Sequence, residues 1–232
     1  MKIAYVLYED FTALDLIGPY EVISAWPDVE LHWVATSSGP ISSDRGMRVL
    51  PTVTPAGIPD PDVVVIPGSS DPLGPLKDEA LLQWVRDVAP GAQWLASACT
   101  GSGVYGAAGV LKGRRATTHW GFRENLKAMG VDVVAERVVF DGRFVTGAGV
   151  SAGIDMALAL TARVHGEELA KAIQLAIEYD PQPPFAEGSP DTASASTLRL
   201  ATRMLLGDAP LKTLAGYSRR MMGDRLARLR RA

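Results

Sequence analysis

Four β-branched residues in a row, Val63-Val64-Val65-Ile66, stop at Pro67-Gly68. Such a run fits a strand buried on both faces, and Pro-Gly closes it with a turn. Other short apolar runs, Ile3–Tyr8, Leu31–Thr36 and Trp94–Ala98, alternate with segments of helical spacing. Helices are predicted over Asp15–Trp26, Glu79–Val88, Trp120–Met129, Val150–Arg163 and Glu167–Glu178, with Leu81, Leu82, Val85 and Val88 forming one apolar side of the second. Val131–Ala135, Arg137–Phe140 and Arg143–Thr146 read as further strands, the last two joined by a hairpin turn at Asp141-Gly142. Strand alternating with helix predicts an α/β fold, a doubly wound sandwich with a mostly parallel central sheet. In such a sheet the functional site lies at the carboxyl ends of the strands.

The single cysteine stands at one of those ends. Trp94-Leu95-Ala96-Ser97-Ala98 runs into Cys99-Thr100-Gly101-Ser102-Gly103, where small residues permit a tight turn into a helix. A thiol there would face the free N–H groups and positive dipole end of the helix, which favour thiolate. Against this stands an inert buried cysteine; the strand–Cys–small–Gly context points to a nucleophile.

Asp15, between Leu14 and Leu16, is either a helix N-cap or a partly buried functional carboxylate. The end of the first strand can face the strand that carries Cys99, where a carboxylate would bond the sulfur and move a proton. Two turns offer backbone N–H groups to developing negative charge: Pro67-Gly68-Ser69-Ser70 and Thr100-Gly101. His119 either assists Cys99 or caps the next helix. His165-Gly166-Glu167 invites a Cys–His–Glu triad but falls between two helices, and His32 alternates with apolar residues as a structural strand residue would. Gly101-Ser102-Gly103-Val104-Tyr105-Gly106 matches GxGxxG, yet no strand ending in an acid follows at dinucleotide-site distance, so close helix packing explains the glycines better.

Composition excludes several classes. The 232 residues are 47% apolar with a formal charge of −3, enough for one large core or at most two small ones and giving no electrostatic pull towards nucleic acid or an anionic membrane. One cysteine permits no internal disulfide, which suits a cytoplasmic protein, and neither a signal peptide nor a membrane-spanning run is visible. Three scattered histidines and one cysteine show no metal-ligand spacing. The proline-rich stretch 179–194 is predicted to be an ordered, packed loop, followed by a helix over Ala195–Leu206. The basic tail 207–232, in which Met221, Met222, Leu226 and Leu229 interleave with arginines, reads as a solvated helix beside a main domain over 1–206.

Several of these motifs coincide with those of one family. Ala98-Cys99-Thr100-Gly101, Arg114–Trp120 and Thr146–Asp155 resemble the DJ-1/PfpI superfamily. Within it, Leu14–Pro19, Glu178–Phe185 and Gly188–Ala193 are similar to bacterial isocyanide hydratases. The resemblance implies a flavodoxin-like homodimer without a cofactor. Cys99 would attack the terminal carbon of an isocyanide, with Asp15 as acid/base and a thioimidate collapsing to an N-substituted formamide. Thr100 would line the site, as would Gly149 and Val150 of the glycine-rich turn. Two departures stand out: Ser69 where many relatives have glycine, and Ala148 in the Gly147–Gly149 turn. Protease-like members carry Cys-His, and here Thr100 follows the cysteine. The alternatives are a glyoxalase-type enzyme, which pairs its cysteine with a glutamate on the first helix (Glu21 being the stand-in), and a cysteine redox sensor. The sensor half of an AraC-type regulator shares the fold, but 232 residues leave too little for the helix-turn-helix region expected after it.

Overall fold

A computed structural model of the chain describes residues 1–206; the basic tail 207–232 lies outside the described residues. The elements in chain order begin with β1 (Lys2–Val6), α1 (Ala13–Ile23), β2 (Glu30–Val34) and a small hairpin of β3 (Ile41–Ser42) and β4 (Arg48–Val49). Next come β5 (Val63–Ile66), α2 (Glu79–Val88), β6 (Trp94–Ala98), α3 (Ser102–Ala107) and β7 (Arg115–Ala116). The series continues with α4 (Arg123–Ala128), β8 (Asp132–Val133), β9 (Val138–Asp141), β10 (Phe144–Gly147), α5 (Ala152–His165), α6 (Glu167–Ala176) and α7 (Ala195–Leu206).

The central sheet has the order β2-β1-β5-β6-β10-β9, parallel throughout except for the antiparallel edge pair β10–β9. This is the doubly wound arrangement expected from the alternation of strands and helices, and the flavodoxin-like form of it that the family resemblance implies. β5 and β6 sit at its middle, and every residue of β5 is buried, as its β-branched run requires. β1, β5 and β6 point their carboxyl ends to one edge, so the loops after Val6, Ile66 and Ala98 meet there. α1 packs on α5 through small contacts: a Cβ on Gly153 would lie 3.2 Å from the ring of Pro19, and one on Gly18 would lie 3.0 Å from Ile154.

β5, α2 and β6 run as the sequence predicts, while other boundaries move by one to three residues. α1 begins at Ala13, with Thr12 at the N-cap position. That overturns the reading of Asp15 as the cap. The strand expected over Val131–Ala135 shrinks to β8, which pairs in parallel with the unforeseen β7 rather than with the central sheet. α5 starts at Ala152 because Gly149–Ala152 is a turn, its Ala152 N–H donating to the Gly149 carbonyl. β9 and β10 form the expected hairpin, with Asp141 opposite Phe144 and Gly142 at φ +59°, which glycine adopts at little cost.

The chain divides into two compact units, Met1–Tyr179 and the part from Asp180 onward. In the second unit, residues 180–188 are exposed irregular backbone, Phe185 at 75%, so the expectation of a packed aromatic loop fails for this stretch. α7 forms where predicted. No helix among the described residues is long and apolar enough to cross a membrane.

Candidate active site

Cys99 lies one residue past β6, buried, with φ +55°. That left-handed backbone is strained for a non-glycine residue and marks a sharp strand-to-helix elbow. Hydrogen bonds on its carbonyl hold it: Thr118 Oγ1 donates at 2.9 Å and Ser102 Oγ at 3.5 Å. Gly101 makes the elbow possible, since a Cβ there would collide with the carbonyl oxygens of Ile66 and Pro67 at the end of β5. Gly103 packs on the Phe122 ring and Gly106 on Met129 and Leu126. The GxGxxG glycines are thus accounted for by close packing.

Asp15 is fully buried on the first turn of α1. Its Oδ2 accepts the Gly68 N–H at 3.0 Å, and its carboxylate is hydrogen-bonded to the Cys99 thiol. Its Oδ1 is buried with no hydrogen-bond partner. Burial pushes the Asp15 carboxyl up to about 7 against the downward pull of the Gly68 and Cys99 hydrogen bonds, with the Asp44 charge adding to the rise. Burial also pushes the Cys99 thiol up, reinforced by the Asp15 charge; the Thr100 N–H on the sulfur pulls the other way. The expectation of a helix-stabilised thiolate is therefore corrected. After the short turn at Cys99–Gly101, α3 has only six residues, and its dipole does not outweigh a buried sulfur beside a carboxylate. The resting pair is a thiol donating to Asp15.

Thr100 and Ser69 lock together: the Ser69 N–H donates to Thr100 Oγ1 at 2.9 Å, and Thr100 Oγ1 reaches the Ser69 carbonyl at 3.3 Å. The Gly68 and Ser69 N–H groups, foreseen as donors to an oxyanion, are thus engaged with Asp15 and Thr100. The Ser69 side chain is engaged as well, its Oγ donating to the Asp10 carbonyl at 2.8 Å and accepting the Asp71 N–H at 3.0 Å.

His119 caps the turn at Trp120–Phe122, its Nδ1 accepting the Gly121 N–H at 3.1 Å. Burial, helped by Arg123, lowers the imidazole to about 4, so it is neutral at physiological pH. Its ring borders Gly149, where a Cβ would lie 3.9 Å from His119 Cδ2. Val150 is half-buried in the same turn, and the Ala148 N–H donates to the Arg137 carbonyl at 2.9 Å. The structure thus gathers Asp15, Gly68, Ser69, Cys99 and Thr100 tightly, and joins His119 to them through its neighbour Thr118.

His165 ends α5, roughly 18 Å along the helix from Gly153, which packs near Ala98. It packs edge-on against Trp26, so the amidotransferase-type triad is excluded. His32 pairs with Glu30 at 2.8 Å. Glu21 is exposed on α1. Among the described residues no cluster of His, Cys, Asp and Glu is placed to hold a metal ion.

Sequence reading missed Tyr8, Thr118 and Asp44. Tyr8 OH donates to the Pro67 carbonyl, and the phenol is pushed up by burial and by Asp15 and Cys99. Thr118 stood inside a motif already singled out, next to His119. Nothing local marked Asp44.

Comparison with known proteins agrees with the geometry. The family model described as DJ-1/PfpI family matches residues 1–163. An isonitrile hydratase from Pseudomonas putida is 42% identical over 214 residues, 92% of this chain and 93% of that one. The transcriptional regulator CdhR of Pseudomonas aeruginosa is 34% identical over 143 residues, 60% of this chain but 42% of that one. Among solved structures, a ThiJ/PfpI family protein from Pseudomonas syringae superposes with a TM-score of 0.85 at 35% identity, covering 95% of this chain and 88% of that one.

Proposed function

The chain belongs to the DJ-1/PfpI family, and from there we propose that it hydrates isocyanides, converting R–N≡C and water to an N-substituted formamide. The observation that carries this reading is the buried thiol–carboxyl pair of Cys99 and Asp15. The similarity to an isonitrile hydratase over nearly the whole of both chains supports it.

An isocyanide carbon is a soft electrophile that must gain a proton as a nucleophile adds, and a thiol beside a buried carboxyl supplies both. In the first step the Cys99 Sγ–C bond forms, one C–N π bond becomes a nitrogen lone pair, and the proton shared by thiol and Asp15 ends on carbon. The product is a thioimidate, Cys99–S–CH=N–R. Water then adds to that carbon, giving one proton to nitrogen and the other to Asp15. Collapse breaks the C–S bond, and Asp15 returns the proton to the sulfur. One water is consumed, and the thiol and carboxyl end as they began. Asp15 fits this cycle because its group titrates near neutrality and its Oδ1 has no competing partner. No step needs a cofactor. Thr100, Gly68 and Ser69 hold the pair in register, while His119, Gly149 and Val150 border the substrate. The same reading includes a homodimer in the cytoplasm; sedimentation of the purified chain tests the assembly.

The glyoxalase-type alternative rests on Glu21 as the partner of the cysteine, and Glu21 is exposed while Asp15 bonds the thiol. The deciding experiment measures formamide formation from simple aryl and alkyl isocyanides by the wild type, Cys99→Ala and Asp15→Asn. The reading requires turnover by the wild type, none by Cys99→Ala and a loss of about 10²-fold or more for Asp15→Asn. A wild type inert towards every isocyanide tried would remove it.

A further inference from the structure

The hairpin β3–β4 brings a carboxylate to the start of α1. Ser43 forms a bridge to Phe11, the Asp44 N–H donates to the Phe11 carbonyl at 3.0 Å, and Thr12 Oγ1 donates to Asp44 Oδ2 at 3.2 Å. Ser43 Oγ shapes the bend by accepting the Arg45 and Met47 N–H groups. Thr12 occupies the N-cap position of α1, yet its hydroxyl does not cap the helix. A threonine there would ordinarily bond the amides of its own first turn; this one is spent on Asp44. Its backbone is tied into the site twice, donating to the Gly68 carbonyl at 2.9 Å and accepting the Asp15 N–H at 3.0 Å. Asp44 is half-buried, and no cation pairs with it among the described residues. A carboxylate so placed is held close to the Asp15–Cys99 pair in a partly desolvated setting, where charges act on one another more strongly than in water.

We propose that Asp44 is a positioning residue for the active site, acting through its charge on the Asp15–Cys99 pair from the anchor that Thr12 provides. The titratable groups that act on one another here are Cys99 at the end of β6, Tyr8 after β1, Asp15 on α1 and Asp44 on the hairpin. Burial is the main cause that raises both Asp15 and Cys99, and the Asp44 charge adds a smaller push in the same direction to each. The significance for turnover rests on the hydratase reading, because that reaction needs the proton at the isocyanide carbon; the effect on titration does not rest on it.

The test follows alkylation of the intact protein by iodoacetamide against pH, which reports one site because the chain has one cysteine. Asp44→Asn is expected to move the midpoint down by about half a pH unit or more, and Asp44→Glu to restore it. Thr12→Ala, which keeps the charge but removes its anchor, moves it the same way by less. Asp71→Asn, on the neighbouring loop, leaves it in place. An unmoved midpoint in Asp44→Asn, or an equal shift in Asp71→Asn, overturns the proposal. If Asp44→Asn does not fold, an unmoved midpoint in Thr12→Ala does the same. The pH profile of formamide formation, run in parallel, should move with alkylation; an enzyme inert to isocyanides whose alkylation midpoint still shifts refutes the hydratase reading while upholding the role of Asp44.

Discussion

Gly68 donates its backbone N–H to Asp15 Oδ2 at 3.0 Å, and a Cβ on the same residue would lie 2.6 Å from that oxygen. The same Cβ would lie 2.7 Å from the Thr100 nitrogen and 2.8 Å from Cys99 Cβ. The N–H that fixes the acid therefore comes from a backbone position where no side chain fits. The turn after β5 is a wedge between the ends of β1 and β6, and its missing side chain lets acid and thiol meet.

Gly68→Ala follows directly. Three neighbours would have to move, two of them backbone or Cβ atoms that cannot swing aside. We expect a loss of stability of about 1–3 kcal/mol from overpacking and a fall in turnover of roughly 10²-fold from displaced reacting groups. Thermal melting and steady-state kinetics read the two separately. A variant with wild-type kcat would show that the spacing of Asp15 and Cys99 is not set by this turn.

The pH dependence of stability has two opposed parts. Asp15 rises on folding from 3.8 to about 7, so the folded state holds the proton more tightly and stability falls as pH climbs through that window. Roughly three units correspond to about 4 kcal/mol, fully present as a penalty above pH 7 and absent below about 4. His119 falls on folding from 6.5 to about 4, so the unfolded state binds the proton better and stability falls as pH drops from 6.5. Between about pH 4 and 6.5 the two slopes oppose each other. Asp15→Asn should gain stability over wild type from about pH 4 to about pH 7 and hold that gain above it, whereas His119→Asn, which retains a capping oxygen, should compare best with wild type near pH 4. Denaturant melts at four pH values give both curves, and parallel curves for all three proteins would refute the assignment.

The core of this site was legible in the sequence because its signals are local. Val63–Ile66 stops at Pro67, and Trp94–Ala98 ends where small residues begin. Asp15 was ambiguous because an aspartate near a helix start satisfies the capping rule and the catalytic one equally; only the position of Thr12 separates them. The hairpin β3–β4 stayed hidden, since two-residue strands have no periodicity and this one is held by Phe11 from a distant part of the chain. Asp44 was invisible for the same reason. The fate of the cysteine proton was misread because a helix terminus is visible in sequence and the degree of burial is not.

Thr118 connects the elbow to the His119 segment. Removing its hydroxyl would leave the Cys99 carbonyl with Ser102 Oγ at 3.5 Å as its remaining side-chain donor, in a residue already held at φ +55°. Thr118→Val keeps the volume and should destabilise the fold by about 1–3 kcal/mol, with turnover reduced because the sulfur is less firmly aimed. Thr118→Ser should recover most of both. Loss of stability with unchanged kcat would confine Thr118 to the scaffold.

Asp15 and Glu21 stand in the first and last turns of one helix, and their environments separate them chemically. Glu21 is exposed, so Glu21→Gln should leave stability within about 0.5 kcal/mol of wild type and isocyanide turnover unchanged. Asp15→Asn removes the one carboxyl that shares a hydrogen bond with the thiol, and it should abolish proton delivery while keeping the Gly68 N–H satisfied through the amide oxygen. Assaying both variants with an isocyanide and with a reactive dicarbonyl sets the two chemistries against each other. Isocyanide turnover sensitive only to Asp15 fits the hydratase cycle. Dicarbonyl turnover sensitive to Glu21 would mean that the helix swings its second acid towards the sulfur, and the site would then belong to carbonyl chemistry.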